Sequence, residues 1–151
     1  MQTKFVEANG LRFEVLEEGS GDRLALCLHG FPEHAISWRH QIPVLAGMGY
    51  RVWAVNQRGY GRTTRPTQVA DYALAHLVDD VTALINVAGA KNVLHYCDST
   101  MGSAFRATGQ LATRGALVTA NWRDGHGAAS SYVWEWPGLQ EISVKERLTG
   151  R

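Results

Sequence analysis

The sequence predicts an α/β fold built on a mostly parallel sheet, because apolar runs alternate with segments of helical periodicity. The runs RLALCLHG and YRVWAVNQRGYG are almost continuously apolar before their glycines, which is typical of strands buried on both faces of a parallel sheet. A helical segment separates them, and a longer one precedes a third apolar run, KNVLHY. Strand, helix, strand, helix, strand in this order implies right-handed crossovers within one sheet.

Ahead of the first buried strand, the sequence predicts a β-hairpin. The segments KFVEA and LRFEVLEEG are strand candidates joined at Asn9-Gly10, a dipeptide that favours tight hairpin turns because both residues tolerate a positive φ. Between the two apolar strands, the segment AISWRHQIPVLAGMG is predicted to be helical. We expect Pro43 to interrupt this helix and the glycines to end it.

The clearest helix is predicted between Asp71 and Gly89. Its apolar residues recur at i, i+3, i+4 and i+7 and form one stripe, made of Leu74, Leu77, Val78, Val81, Leu84, Ile85 and Ala88. Asp79 and Asp80 are expected to point away from the stripe. Asp71 is expected to cap the first turn, and Gly89 to take the left-handed position after the last turn.

Beyond Gly102 the pattern is weaker. It predicts a helix followed by a strand at ALVTA, and a terminal helix after Pro137. We therefore divide the chain into a partial α/β core, residues 1–121, and an unassigned tail, residues 122–151. The tail contains three of the five tryptophans, at positions 122, 134 and 136.

Composition excludes several classes of function. The 151 residues carry a net charge of +1 from 15 basic and 14 acidic side chains, so neither a nucleic-acid nor a membrane-surface partner is expected. No signal-peptide core and no run of about 18 apolar residues is present, which predicts a cytoplasmic protein. Cys27 and Cys97 lack the spacing of metal ligands, and we predict buried thiols, no metal and no cofactor.

One ordered set of motifs lies between residues 29 and 66: His29-Gly30-Phe31-Pro32, Trp38-Arg39, Arg58-Gly59-Tyr60-Gly61 and Pro66. With these motifs the chain resembles the α/β-hydrolases, and it is most similar to the epoxide hydrolase and haloalkane dehalogenase branch. The resemblance covers about residues 5–93. It implies the N-terminal half of an α/β-hydrolase sheet, with the cap domain and the C-terminal strands missing. Asn56 is a departure, since the family most often has Asp there.

The HGFP motif predicts an oxyanion loop. A strand that ends in His29-Gly30 lets the backbone turn sharply, and the Phe31 N–H is then the candidate donor to a developing oxyanion. Pro32 restrains the loop, and the resemblance implies a cis peptide bond before it. The alternative is a tight strand-to-helix turn in which His29 is a hydrogen-bonded core histidine.

The segment LHYCDSTMGSAF, residues 94–105, lies where the resemblance implies a nucleophile flanked two residues away by small side chains. None of Asp98, Ser99 and Thr100 has small neighbours on both sides. Asp98 is the candidate nucleophile, because a carboxylate is ionised at neutral pH and needs no base for its attack. The Ser99 N–H is the second candidate oxyanion donor by position. The alternative role of Asp98 is a helix N-cap.

A hydrolase of this kind also needs a histidine to activate water, and an acid to orient that histidine. The resemblance implies that both follow a cap domain, far beyond the nucleophile. His126 is the single histidine after residues 94–105 and is the candidate base. Its alternative is an exposed loop histidine. Asp124 is too close in sequence to be an ordinary orienting acid.

Three hypotheses follow. The chain is a shortened hydrolase that opens an epoxide or haloalkane through an Asp ester, a truncated or frame-shifted remnant without activity, or a non-catalytic module that binds a small ligand or a partner through the oxyanion loop. A small-molecule substrate is expected only if the chain is active. Runs such as ALVTA lack the charge or proline that blunts a sheet edge, so self-association is expected unless the tail covers that edge.

Overall fold

In the computed structural model of the protein, the described residues are 1–90, 93–97, 115–121 and 130–134. They contain one sheet of seven strands, whose spatial order is β1-β2-β4-β3-β5-β6-β7. The strands are β1 (Gln2–Ala8), β2 (Leu11–Glu18), β3 (Arg23–Leu28), β4 (Tyr50–Val55), β5 (Val93–Cys97), β6 (Gly115–Asn121) and β7 (Ser130–Trp134).

The four central strands, β4, β3, β5 and β6, are parallel to one another. Antiparallel pairs occur where β2 joins β1 and β4, and where β7 joins β6. This mixed sheet with a parallel centre confirms the predicted fold class. The hairpin is confirmed as well, because β1 and β2 are joined by Asn9 and Gly10 with φ values of 48° and 72°.

Within the described ranges, two α-helices and two 3₁₀ helices connect parallel strands. The first 3₁₀ helix (Ala35–Trp38) and α1 (Gln41–Gly47) lie between β3 and β4, and the second 3₁₀ helix (Val69–Tyr72) and α2 (Leu74–Ala88) lie between β4 and β5. The predicted interruption at Pro43 is wrong. The break falls at residues 39–40, and Pro43 lies in the first turn of α1, where a missing backbone N–H costs no helical hydrogen bond.

The long helix starts later than predicted. Its first residue is Leu74, while Asp71 belongs to the second 3₁₀ helix, where the Gln68 N–H donates to its carboxylate in a reciprocal capping box. Asp71 therefore caps a different helix from the one predicted. The other end is as predicted, because Gly89 follows α2 with a φ of 64° in the left-handed region.

The helices cover the two faces of the sheet, since successive residues of a strand point to opposite faces. Leu24, Leu26 and Leu28 of β3 pack in the core that contains most of the apolar stripe of α2, from Leu77 to Ala88. Leu74, predicted as part of the stripe, is 42% exposed. Ala25 and Cys27 pack on the other face, in the core that contains Trp38 and the apolar side chains of α1. The central strand is thus buried on both faces, as its continuous apolar run predicts.

Asp80 corrects one prediction about α2. Asp79 is exposed, but Asp80 is only 4% exposed and faces the protein interior. Both of its carboxylate oxygens bind Arg58, at 2.6 Å and 2.7 Å, and the Asn9 side-chain amide donates to it at 2.7 Å. The hydrogen bonds with Asp80 are the main reason that the pKa of Arg58 is raised. This network joins the hairpin turn, the loop after β4 and α2.

The strand predicted at ALVTA is confirmed as β6, and its outer edge is paired. The strand β7, which the sequence pattern did not reveal, runs antiparallel to it, from Leu117 opposite Trp134 to Asn121 opposite Ser130. Part of the tryptophan-containing tail therefore covers the edge of β6. The predicted helices beyond Gly102 and after Pro137 lie outside the described residues, and the division at residue 121 and the self-association stay predictions.

Candidate functional site

The HGFP loop lies at the carboxyl edge of the parallel strands. Leu28, the last residue of β3, is aligned with Val55 at the end of β4 and with Cys97 at the end of β5. Because open α/β sheets bind their ligands outside the carboxyl ends of the strands, this edge is the candidate site. His29 begins the loop beside both neighbouring strand ends.

The Phe31 N–H of this loop has no acceptor among the residues that the structure describes. The Phe31–Pro32 peptide bond is cis, as the resemblance implies. The carbonyl of Gly30 accepts the Glu33 N–H at 3.0 Å and lies 2.8 Å from His29 Nδ1. Among the described residues, none accepts a hydrogen bond from the Phe31 N–H, and the Phe31 side chain is 81% exposed. A free N–H at this edge is the kind of donor that an oxyanion needs.

His29 is buried, 1% exposed, and both ring nitrogens are engaged. Its Nε2 lies 3.1 Å from the Gln57 backbone nitrogen, whose N–H can only donate. The network therefore assigns the ring hydrogen to Nδ1, which donates to the Gly30 carbonyl. In return, the Gln57 side-chain amide donates to the His29 carbonyl. His29 has the geometry of a hydrogen-bonded core histidine that ties the end of β3 to the end of β4.

Two more rings pack over this histidine. The Tyr60 ring meets the His29 ring edge-on, with a centroid distance of 4.6 Å, and meets the exposed His34 at 5.5 Å. Burial raises the pKa of Tyr60. The Arg-Gly-Tyr-Gly motif thus supports the HGFP loop from the side of β4, a role that the sequence did not indicate.

Asn56 has a specific structural task at the end of β4. Its side-chain oxygen accepts the Ala35 N–H at 2.8 Å, and its amide nitrogen donates to Glu14 Oε2 at 2.9 Å. An Asp at this position would place a second carboxylate against Glu14, where like charges repel. The departure from the family pattern therefore suits the buried Glu14. Gly61 closes the cluster, since an added Cβ would lie 2.5 Å from both Asn56 Nδ2 and Glu14 Oε2.

Glu14 is held ionised by its neighbours. Burial opposes ionisation, but hydrogen bonds from the backbone and side chain of Arg62, at 2.8 Å each, and from Asn56 outweigh it and lower the pKa of Glu14 from its ordinary value of 4.5. The sequence did not indicate a role for Glu14. The alternation of residues along β2 predicts only which face of the strand is buried, not which partners a polar residue has. Its partners lie more than forty residues away.

We expect this carboxylate to make stability depend on pH. A depressed folded-state pKa stabilises the protein fully above pH 4.5, and the contribution is lost as the pH falls through the lower folded value. Glu14→Gln should cost about 1–3 kcal/mol of unfolding free energy near pH 7 and should flatten the acid limb. Urea unfolding at several pH values between about 3 and 7 measures it. The exposed control Glu7→Gln should follow the wild-type profile; parallel wild-type and Glu14→Gln curves would contradict the assignment.

The remaining predicted site residues, Asp98, Ser99, Thr100 and His126, lie outside the described residues. The structure brings His29, Gly30, Phe31 and Pro32 together in one loop. Within the described ranges no group of three His, Cys, Asp or Glu side chains is placed to hold a metal ion. In the same ranges, no helix is long and apolar enough to cross a bilayer.

A cleft of about 460 Å³ lies at the amino ends of the parallel strands β3 and β4 and contains Arg23 and Arg51. Its two arginines do not converge. Arg23 is aligned with Tyr50 and lies over that ring, whereas Arg51 is aligned with Leu24 and donates to the Ala88 carbonyl of α2. The two side chains therefore lie on opposite faces of the sheet. Because they do not converge on one ligand position, the cleft is not the candidate site.

The chain is similar to known proteins over its N-terminal part. Residues 26–94 match the family model described as alpha/beta hydrolase fold. The chain is 44% identical over 92 residues to epoxide hydrolase A of Mycobacterium tuberculosis, a match that spans 60% of this chain and 29% of that protein. It is 45% identical over 80 residues to bifunctional epoxide hydrolase 2 of Sus scrofa, spanning 53% of this chain and 14% of that protein.

Solved structures agree. An epoxide hydrolase from Vigna radiata superposes with a TM-score of 0.72 at 37% identity, over 78% of this chain and 39% of that one. Epoxide hydrolase A from Mycobacterium thermoresistibile gives a TM-score of 0.72 at 35% identity, over 78% of this chain and 38% of that one. The chain thus spans well under half the length of each of these proteins.

Proposed function

From one premise, we propose that the chain hydrolyses an epoxide through an aspartyl ester. The premise is that its N-terminal part has the α/β-hydrolase fold and is similar to epoxide hydrolases. The observation that carries the proposal is the Phe31 N–H after the carboxyl end of β3, which has no acceptor within the described part of the chain. The loop that contains it follows Leu28, which is aligned with Cys97 at the end of β5, and Asp98 is the next residue after that strand in the sequence.

In the first step, an Asp98 carboxylate oxygen attacks a carbon of the epoxide. A carbon–oxygen bond forms, the ring carbon–oxygen bond breaks, and the released alkoxide takes a proton from water to become a hydroxyl group. In the second step, water that has lost a proton to His126 attacks the ester carbonyl. This attack forms a tetrahedral oxyanion, which collapses as the bond between the Asp98 carboxyl carbon and the alkyl oxygen breaks. His126 returns its proton to that oxygen, Asp98 loses its carboxyl proton to water, and a 1,2-diol leaves with one oxygen from Asp98.

The oxyanion of the second step is the species that the loop would stabilise. Backbone N–H groups are fixed dipoles and do not reorganise during the reaction, so a donor at hydrogen-bond distance favours the charged intermediate. The proposed donors are Phe31 and Ser99. The same Asp attack on a haloalkane would release a halide, but the named relatives are epoxide hydrolases, and the proposed substrate class is therefore an epoxide.

Oxygen labelling tests the ester. With enzyme in excess over styrene oxide in water enriched in oxygen-18, the diol from the first turnover should contain no label, because its new oxygen comes from Asp98. Later turnovers should incorporate oxygen-18, and mass spectrometry should find it in the peptide that contains Asp98. Label in the first diol would mean direct attack by water. If no diol forms above the buffer rate, the enzyme hypothesis fails and the non-catalytic hypotheses stand.

A further inference from the structure

We infer that His29 is a positioning residue for the oxyanion donor, which it orients through the carbonyl of Gly30. The inference deepens the proposed function and rests on it for its catalytic consequence. It starts from the peptide bond between Gly30 and Phe31. This bond contains both the carbonyl that His29 binds and the N–H for which the described ranges supply no acceptor.

The orientation follows from peptide geometry. The Gly30–Phe31 bond is trans, since the single cis bond among the described residues joins Phe31 to Pro32. In a planar trans peptide the carbonyl and the N–H point in opposite directions. Two hydrogen bonds, from His29 Nδ1 at 2.8 Å and from the Glu33 N–H at 3.0 Å, fix the Gly30 carbonyl. The same bonds therefore fix the direction of the Phe31 N–H.

The bonds on the carbonyl also strengthen the donor. Hydrogen bonds in series polarise one another, so a peptide whose oxygen accepts two donors presents a more positive N–H. Burial of His29 keeps water from competing for its contact with Gly30. The buried imidazole thus aims the donor and polarises it, without touching a substrate.

This role needs one tautomer of a neutral ring. Nε2 must accept the Gln57 N–H at 3.1 Å, so the hydrogen must be on Nδ1. The contact of the Tyr60 ring, at 4.6 Å between centroids, and the bond from the Gln57 side chain to the His29 carbonyl hold the imidazole in this pose. A ring with its hydrogen on Nε2 would present a lone pair to the Gly30 carbonyl and lose both bonds.

Two substitutions separate the two ring nitrogens. In His29→Asn, the side-chain amide nitrogen can occupy the place of Nδ1 and donate to Gly30, but the acceptor for Gln57 is lost. In His29→Gln, the side-chain oxygen can reach the place of Nε2 and accept from Gln57, but the donor to Gly30 is lost. Both remove the aromatic ring from the same buried position, so each controls for the packing loss in the other.

We expect His29→Asn to keep a kcat at least about tenfold above that of His29→Gln. His29→Gln should lower kcat on the order of 10²–10³-fold with little change in KM, as does removal of one oxyanion donor. A role limited to packing predicts equal losses in both. Equal kcat values in the two variants, or a greater loss in His29→Asn, would overturn the inference.

A second measurement does not depend on activity. In the wild type, ¹⁵N NMR of the imidazole should show the hydrogen on Nδ1, and the residual dipolar coupling of the Phe31 N–H should be unchanged in His29→Asn and altered in His29→Gln. A wild-type ring protonated on Nε2, or the same coupling in all three proteins, would overturn the inference. If the wild type hydrolyses no epoxide, the proposed function fails, while these spectra still decide whether His29 orients the N–H.

Discussion

Replacing Asp98 with asparagine is expected to reduce epoxide hydrolysis to the rate in buffer, a loss on the order of 10⁴-fold or more, as removal of a nucleophile gives in other hydrolases. An amide has no ionised oxygen with which to open the ring. Asparagine is as good a helix N-cap as aspartate, so the free energy of unfolding should stay nearly unchanged. Initial rates with styrene oxide and a urea melt measure the two effects.

The matched control is Asp79→Asn, which removes a carboxylate from an exposed position of α2 and should keep the wild-type rate. Asp98→Ala further separates the role of nucleophile from that of helix N-cap. It should lose turnover whether or not Asp98 is a cap. It should be less stable than Asp98→Asn only if the side chain is also a cap. Full activity in Asp98→Asn would leave capping as the role of Asp98 and remove it from the mechanism.

Replacing Asp80 with alanine is expected to lower the free energy of unfolding by about 3–5 kcal/mol. The substitution leaves the guanidinium of Arg58 buried, 6% exposed, without its carboxylate partner, and an uncompensated buried charge is costly. It also removes the acceptor for the Asn9 amide. Chemical denaturation monitored by tryptophan fluorescence measures the change.

Its neighbour supplies the control. Asp79→Ala lies one residue away on the exposed face of the same helix and should change stability by no more than about 0.5 kcal/mol. The double variant Arg58→Met with Asp80→Leu removes both charges together and should recover much of the loss. A cost below about 1 kcal/mol for Asp80→Ala would show that Arg58 finds another partner.

Most of the described fold could be predicted because its signals are local. The Asn9-Gly10 turn, the buried strand β3 and the glycine after α2 each depend on residues that are neighbours in sequence. The strand β7 could not be predicted in this way. Its short segment, SSYVW, lacks a sustained alternation, and its place in the sheet is set by pairing with β6, as tertiary context often overrides local propensity.

Asp80 shows the same limit on a helix. It lies three residues after Leu77 and four before Leu84, at the border of the apolar stripe, so periodicity alone leaves its direction open. Its partner Arg58 comes from a loop 22 residues earlier. A buried ion pair between distant segments has no periodic signature, and the charge of Asp80 alone favoured solvent.

The candidate site was predictable in part. The motif from His29 to Pro32 indicated the loop and, through the resemblance, its cis bond. The hydrogen bonds between Gln57 and His29 and the ring contact of Tyr60 with His29 were not predictable. Each joins the ends of two strands that become neighbours only in the sheet. For Asp98 and His126, the sequence remains the source of the assignment.

The place of β3 at the centre of the sheet has a consequence for the order of events on the ribosome. One edge of β3 pairs with β4, but the other stays unpaired until β5 is synthesised. Between Leu28 and Val93, 64 residues are synthesised. At about 5–20 residues per second, this wait is roughly 3–13 s. During this time, the apolar strand β3 has an unpaired edge, and that edge is available to any other unpaired strand.

Thiol labelling of Cys27, which is buried in the folded chain, tests this consequence. Labelling should be fast in nascent chains stalled before β5 emerges and slow in longer ones. Equal labelling at both lengths would contradict the expectation. The protein is most vulnerable to misassembly in the seconds before its fifth strand exists.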